Sequence, residues 1–317
     1  MKSAVLKIML VSLVFGFSAA SVTAAGGQEV PNNGKKNVVV TFDAVKELTE
    51  AVAKDKVNIL TIIPAGMEPH DFEPKAKDLA FINKADALIY NGLQMEFWLD
   101  DALTAVKNDT LIIIEAANGI APIKAAHHHH GELCNCSEEH GEEDTHHHSE
   151  FDPHIWLSLS SAKTMVRNIE KGLSEADPEN ATFYKKNADT YTAELDILFN
   201  EYAAKFSTVK NKKFVTGHAA FAYLCRDFNL QQNAVTGVFS EGEPNAKELA
   251  SLVDYCKKNN VKVIFAEELA SPEVSQTLAR EVNAKVEKIY TIESAEDGMT
   301  YLERMQSNLK KIYENLK

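Results

Sequence analysis

The chain has 317 residues, with 33 Lys and Arg against 46 Asp and Glu, a formal net charge of −13 and 45% apolar residues. Such acidity argues against nucleic acid and anionic membrane surfaces as partners, and it suits attraction of cations. The length is enough for two lobes of ordinary domain size.

Residues 1–25 read as a secretory signal: Lys2 and Lys7 form a basic start, Ile8 to Ala20 a short apolar stretch, and Val22-Thr23-Ala24 a small-residue site for cleavage near Ala24/Ala25. The apolar stretch is too short, and too rich in Ser and Ala, for a membrane anchor. No cysteine near it offers lipid attachment. The mature protein is therefore expected to be soluble and exported to the periplasm. Without Lys2 and Lys7 it keeps 31 basic against 46 acidic residues, a net charge of −15.

Residues 26–37 form a polar linker. From there the pattern alternates. Strands are predicted at Val38 to Phe42, Val57 to Ile63, Ala87 to Tyr90 and Leu111 to Ile114, with helices over 43–53, 75–83 and 96–107. Apolar runs of this length between helical stretches predict a parallel sheet with helices on both faces. Residues 156–176 and 179–206 read as two amphipathic helices. The second, about 40 Å long at 1.5 Å per residue, is long enough to serve as a spine past both lobes. The alternation then resumes, with strands at Lys213 to Thr216, Val261 to Ala266 and Val286 to Tyr290, and helices over 219–227, 245–259, 272–283 and 299–316.

The expected architecture is α/β: two lobes, each a parallel sheet flanked by helices, joined by a long spine helix, with a ligand site in the interlobe cleft. The boundaries are a signal peptide at 1–25, a linker at 26–37, an N-terminal lobe at 38–177, a linking helix at 178–208 and a C-terminal lobe at 209–317. No second segment is apolar enough to span a membrane.

A tract inside the first lobe has a composition that no packed core requires. His127, His128, His129, His130, His140, His146, His147 and His148 share the stretch from 127 to 150 with seven carboxylates, Cys134 and Cys136, and no Lys or Arg. Imidazole and carboxylate are ordinary donors for Zn²⁺ and its neighbours, so these histidines are candidate accessory metal ligands. The surrounding segment, 118–151, has almost nothing apolar to bury and reads as a disordered surface loop. Cys225 and Cys256 fall on predicted helices and read as buried free thiols.

Three histidines stand outside the tract. His70 lies in the loop after the second strand, His154 just past the His-rich run, and His218 after the strand Phe214-Val215-Thr216. Each sits where a strand ends or a helix begins, positions from which side chains converge on a cleft. Three imidazoles and one carboxylate close a tetrahedral site around Zn²⁺.

The chain resembles the periplasmic solute-binding proteins of zinc and manganese ABC importers, most closely the zinc branch. The resemblance spans residues 38–317 and rests on several motifs in one order. They are Gly66-Met67-Glu68-Pro69-His70-Asp71-Phe72-Glu73-Pro74, Asp152-Pro153-His154-Ile155-Trp156-Leu157, Gly217-His218-Ala219-Ala220-Phe221-Ala222-Tyr223-Leu224, Gly237-Val238-Phe239-Ser240-Glu241-Gly242-Glu243-Pro244, Val263-Ile264-Phe265-Ala266-Glu267-Glu268, and Tyr301 to Leu309. The acidic His-rich loop before Asp-Pro-His is itself typical of the zinc branch.

The resemblance implies that His70, His154 and His218 are the imidazole ligands. The fourth is a carboxylate near the C-terminus. Glu293 matches best in position, with Glu296, Asp297 or water as alternatives, Glu68 as a transient contributor, and Glu267 or Glu268 supporting the ligands from behind. Two departures are visible. Leu157-Ser158-Leu159 stands where the family often has Asp and Pro after the Leu, and Ala219 follows the third histidine in place of Asp or Asn.

A site of three histidines and one carboxylate suits Zn²⁺, whereas Mn²⁺ prefers more oxygen donors. The resemblance further implies a non-enzymatic, monomeric protein that captures zinc and delivers it to an inner-membrane ABC permease and its ATPase. The rival readings are a zinc chaperone or buffer without a permease, and a zinc hydrolase. The hydrolase needs an open coordination position and a general base, and the chain carries neither H-E-x-x-H nor G-x-S-x-G.

Overall fold

The architecture follows from where the apolar runs fall. A computed structural model of the chain describes residues 31–125, 150–239, 245–267 and 272–317. The segment read as a signal peptide, the eight clustered histidines, Cys134 and Cys136, and Glu268 lie outside the described residues.

In the N-terminal half, strands β1 (Lys36–Val40), β2 (Val57–Thr61), β3 (Ala87–Tyr90) and β4 (Ile112–Glu115) form a parallel sheet in the order β2-β1-β3-β4. In the C-terminal half, β5 (Lys213–His218), β6 (Gln231–Thr236), β7 (Val263–Ala266) and β8 (Lys285–Lys288) form a second parallel sheet in the order β6-β5-β7-β8. The first of these central strands shows why periodicity reads correctly here. Val38, Val39 and Val40 are all fully buried, as a strand covered on both faces must be.

Helices α1 (Asp43–Ala53), α2 (Ala76–Lys84), α3 (Leu99–Ala105) and α4 (Leu159–Ala176) clothe the first sheet, and α6 (Ala222–Phe228), α7 (Ala246–Lys258), α8 (Pro272–Val282) and α9 (Tyr301–Leu316) the second. On α9 the buried residues Tyr301, Met305, Leu309, Ile312 and Leu316 recur at helical spacing. Its start is fixed by a capping box in which the Thr300 hydroxyl accepts from the Glu303 N–H and the Glu303 carboxylate accepts from the Thr300 N–H.

The long helix α5 (Ala181–Ser207, 27 residues) packs against α1 and α4 on one side and α6 and α9 on the other, the spine role expected of it. One apolar core runs from Val38 through Trp156 to Phe265 and Leu309, so both sheets share it. A smaller cluster around Val215, Leu252, Cys256, Ile264 and Leu278 fills the outer side of the second sheet. Cys225 and Cys256 are buried free thiols as expected; burial pushes them up to about 12 and about 11, which keeps them inert.

Gly172 shows how tightly α4 lies on the first sheet. A β-carbon there would come within 2.4 Å of the Ile114 side chain, so only glycine lets the two elements meet at this distance.

Four expectations are corrected. The second sheet has a fourth strand, β6, absent from the periodicity reading. Its sequence Gln-Gln-Asn-Ala-Val-Thr lies on an edge and carries no continuous apolar run. The helix read over 96–107 begins only at Leu99. The helix read from residue 156 starts only at Leu159, because Ile155–Leu157 form a single 3-10 turn. Finally, the segment read as a loop from 118 to 151 is ordered at both described ends. Lys124 pairs with Phe151 in an antiparallel bridge, and the Asp152 N–H donates to the Ile123 carbonyl at 2.9 Å.

Among the described residues no helix is long and apolar enough to cross a membrane.

Candidate metal centre

Both parallel sheets present the carboxyl ends of their strands to the same cleft, the place where α/β sheets bind ligands. The residues beyond β2 and β8, the last residue of β5 and the turn before α4 each contribute one side chain there. His70 sits in the 3-10 turn Pro69–Asp71, which the Glu68 carboxylate caps by accepting the His70 N–H. His218 ends β5. Glu293 follows β8, and His154 lies between them, fully buried.

The Nε2 atom of His154 is the hub. It lies 3.2 Å from His70 Nε2, 3.3 Å from His218 Nε2 and 3.5 Å from Glu293 Oε1. One donor atom from each of the four residues falls within 4.8 Å of all the others. A single proton on His154 Nε2 bridges one facing imidazole nitrogen well but not two, so a proton alone does not account for the cluster. A tetrahedral zinc, with bonds of about 2.05 Å, sets its ligand atoms about 3.3 Å apart. The three measured edges match that figure.

Glu293 Oε1 has no hydrogen-bond partner among the described residues although it is buried. An orphaned buried carboxylate oxygen is costly unless a cation completes it. The other oxygen, Oε2, accepts from the Thr291 hydroxyl at 2.7 Å, which fixes the direction of Oε1.

A second layer orients the donors. Asp152 Oδ1 lies 2.8 Å from His154 Nδ1 and accepts the His154 backbone N–H at 2.9 Å. With the Nδ1 proton held there, Nε2 is the nitrogen that turns its lone pair to the cleft once its own proton is displaced. Asp152 is itself held by Tyr223, whose hydroxyl donates to the Asp152 carbonyl at 2.7 Å. On the other side, Glu267 Oε1 accepts the N–H groups of Gly217 and His218 at 2.9 and 3.1 Å. Glu267, expected to act from behind the ligands, therefore positions His218.

The charges in the site are uneven. Burial pushes His70 down to about 3 and His218 down to about 4, so both are neutral lone-pair donors at ordinary pH. Burial works against His154 too, but the Asp152 charge and hydrogen bond, with help from Glu293, lift it to about 9. Burial alone would raise Glu293; the His154 imidazole 3.5 Å away and the other two histidines instead hold it down at about 2. Burial, then repulsion from Glu293, raises Glu68 to about 8.

The alternatives for the carboxylate lie elsewhere. Lys288 Nζ pairs with Glu296 and lies 2.7 Å from Asp297 Oδ2, and the Tyr290 hydroxyl donates to the same Asp297 oxygen. Neither joins the four converging groups, and nor does Glu68.

The Ser158 departure has a local compensation. Its hydroxyl oxygen caps α4 by accepting the Ser161 N–H, and its hydroxyl donates to Asp227 Oδ2 at 2.8 Å.

Gly217 makes a sharp prediction. A β-carbon there would sit 2.0 Å from Glu267 Oε2. Gly217→Ala is expected to expel the carboxylate, leave buried N–H groups unpaired and cost about 3 kcal/mol. Urea denaturation of the metal-free variant measures that loss, and an unchanged midpoint would show that the carboxylate can move aside.

Residues 38–315 match the family model for ZnuA, described as zinc-uptake complex component A periplasmic. The chain belongs to this family. A relative from Treponema pallidum (strain Nichols), provisionally designated a metal-binding protein, is 44% identical over 310 residues, covering 96% of this chain and 94% of that protein. The zinc-binding protein AdcA of Streptococcus pyogenes serotype M3 is 37% identical over 311 residues; these cover 96% of this chain but 60% of AdcA, which is the longer protein. Among solved structures, the Zn(II)-bound ZnuA-like domain of Streptococcus pneumoniae AdcA is 35% identical with a TM-score of 0.73, covering 89% of this chain and 99% of that one.

Proposed function

We propose that this protein captures Zn²⁺ at His70, His154, His218 and Glu293 and delivers it to an ABC-type importer. The observation that carries the reading is the spacing around His154 Nε2, where three measured edges of 3.2, 3.3 and 3.5 Å fit a tetrahedral ion. The donor set favours zinc over manganese, because three of the four donors are imidazoles. The AdcA and ZnuA names support the same choice.

Four protein donors fill the tetrahedral positions and leave none for an attacking water. The reading is therefore of a binding protein rather than a hydrolase. It works as a monomer in the periplasm after loss of residues 1–25, with lobes at 38–177 and 209–317 and residues 178–208 linking them. Its partners are an inner-membrane permease and that permease's ATPase. The histidines at 127–130, 140 and 146–148 act as weak accessory sites that raise the local concentration of zinc near the cleft.

Calorimetric titration of the mature protein lacking residues 127–148 tests the capture step. One tightly bound Zn²⁺ per molecule is expected, with Mn²⁺ bound far more weakly; no tight zinc, or equal affinity for both metals, would refute the reading. Delivery is tested by zinc-limited growth of a strain lacking the gene. The wild-type copy is expected to restore growth and a His154→Ala copy to fail.

The accessory tract makes a separate prediction. Deleting 127–148 is expected to abolish the weak additional binding, leave the tight site at its full affinity, and slow growth only at the lowest zinc concentrations. Equal weak-site stoichiometry with and without the tract would remove it from metal binding.

A further inference from the structure

Glu293 follows the last strand of the C-terminal sheet, and Asn308 on α9 holds the Tyr290 backbone there, yet two further bonds of its loop run to the N-terminal half. The Ser294 hydroxyl oxygen accepts the Gly66 N–H at 2.7 Å, in the loop that carries His70. The Thr291 carbonyl accepts the indole N–H of Trp156 at 2.6 Å, just beyond His154. The Ser294 carbonyl accepts from Arg304 Nη1 at 2.7 Å. Arg304 lies on α9 and is fully buried, and its Nη2 donates to Asp43 Oδ2 on α1 at 2.6 Å, with Glu47 Oε1 at 3.6 Å. His218, in contrast, is fastened to β7 through Glu267.

A fully buried guanidinium is expensive to desolvate, and an apolar side chain would fill the same volume at less cost. What arginine adds is a planar fork that joins two fixed acceptors. Here the acceptors are the carbonyl next to Glu293 and a carboxylate on the first helix. The loop needs such a brace. Ile292, immediately before Glu293, is fully buried at φ 61°. A β-branched residue in the left-handed region is held there only when its surroundings over-determine it, at a cost of about 1–3 kcal/mol.

We propose that Arg304 is the positioning residue for Glu293: its fork fastens the Glu293 loop to α1, so that His70, His154 and Glu293 form one half-site and His218 alone joins them across the cleft. The proposal rests on the reading of these four residues as the metal site. It divides the ligands three to one, whereas chain order divides them two and two. A shift of β5 and β7 relative to α1 and α9 then removes one ligand from the ion and leaves three in place.

A double-substitution cycle tests this in the whole mature chain, with zinc affinity measured by chelator competition. Arg304→Met is expected to weaken zinc binding about 10- to 100-fold, as loss of a ligand's support does. In the Glu293→Ala background the same substitution is expected to change affinity less than about twofold, because its effect passes through Glu293. In the His218→Ala background it is expected to retain its full effect, since the half-site there is intact.

An equal loss with and without Glu293 would overturn the positioning role, as general loosening does not depend on that carboxylate. No loss in the His218→Ala background would overturn the half-site. Arg304→Lys keeps the charge beside Asp43 but not the fork, and it is expected to repeat the cycle if Arg304→Met fails to fold. His154→Ala separates the two levels of the argument. Tight zinc binding in that variant refutes the metal site itself, whereas its loss together with an additive cycle refutes only Arg304.

Discussion

His154→Ala is expected to weaken zinc binding by about a thousandfold, the largest effect of any single substitution at the site. A four-ligand structural zinc site binds with about 10–16 kcal/mol, or about 2.5–4 kcal/mol per ligand, which corresponds to 10²–10³ in affinity. His154 belongs at the upper end because its Nε2 is the atom that every other donor faces. Removing it deletes one bond and also the group that spaces the remaining three. It further strips Asp152 of its imidazole partner in a buried setting, so the local structure is expected to shift.

Thermal unfolding gives an independent check. Zinc stabilises whichever fold binds it in proportion to the logarithm of concentration over Kd. At a zinc concentration above both Kd values, the zinc-induced stabilisation is therefore expected to be smaller in the variant by about 4 kcal/mol, with a correspondingly smaller rise in Tm. A full rise in His154→Ala would place the ion elsewhere.

The histidines were legible in the sequence for a simple reason. His70, His154 and His218 are the three that stand outside the tract, and each follows a strand or precedes a helix. An α/β topology turns such positions toward one cleft, so convergence followed from the order of elements. Glu293 was less legible, because Glu296 and Asp297 lie within four residues of it and carry the same chemistry. What separates them is Lys288, which occupies both alternatives, and the Thr291 hydroxyl, which aims Glu293. Neither relation has a sequence signature.

Arg304 was invisible for a related reason. A lone arginine in an amphipathic helix reads as a surface charge, and only the tertiary structure places it between Ser294 and Asp43, 261 positions apart in the case of Asp43. Strand β6 escaped because polar edge strands carry no apolar run. The shared core explains a limit on motion as well. Apolar packing continues across both sheets and along α5, so wide hinge opening would expose it. Release by small tilts and loop shifts costs far less buried area.

Zinc binding is expected to release protons, and the pH dependence of affinity shows from where. Between about pH 4 and 9 the metal-free site has neutral His70 and His218, ionised Glu293 and protonated His154. The ion must displace the Nε2 proton of His154, while the Nδ1 proton stays on His154, donated to Asp152. Since protonation competes with the metal, affinity is expected to rise with pH, about tenfold per unit, and to level off above about 9, where His154 is already neutral. Below about 4 the fall steepens as His218 takes up a proton. Glu68 carries a second proton up to about 8, and Glu68→Gln removes its contribution.

In that background, calorimetry at pH 7 in buffers of different ionisation enthalpy is expected to count one proton released per zinc. The contrast among the three histidines identifies the cause. Burial depresses His70 and His218, and it would depress His154 as well were it not for the Asp152 carboxylate. Asp152→Asn in the same background is therefore expected to make His154 neutral and to bring the proton count toward zero. One full proton still released in that variant would show that Asp152 is not what holds it.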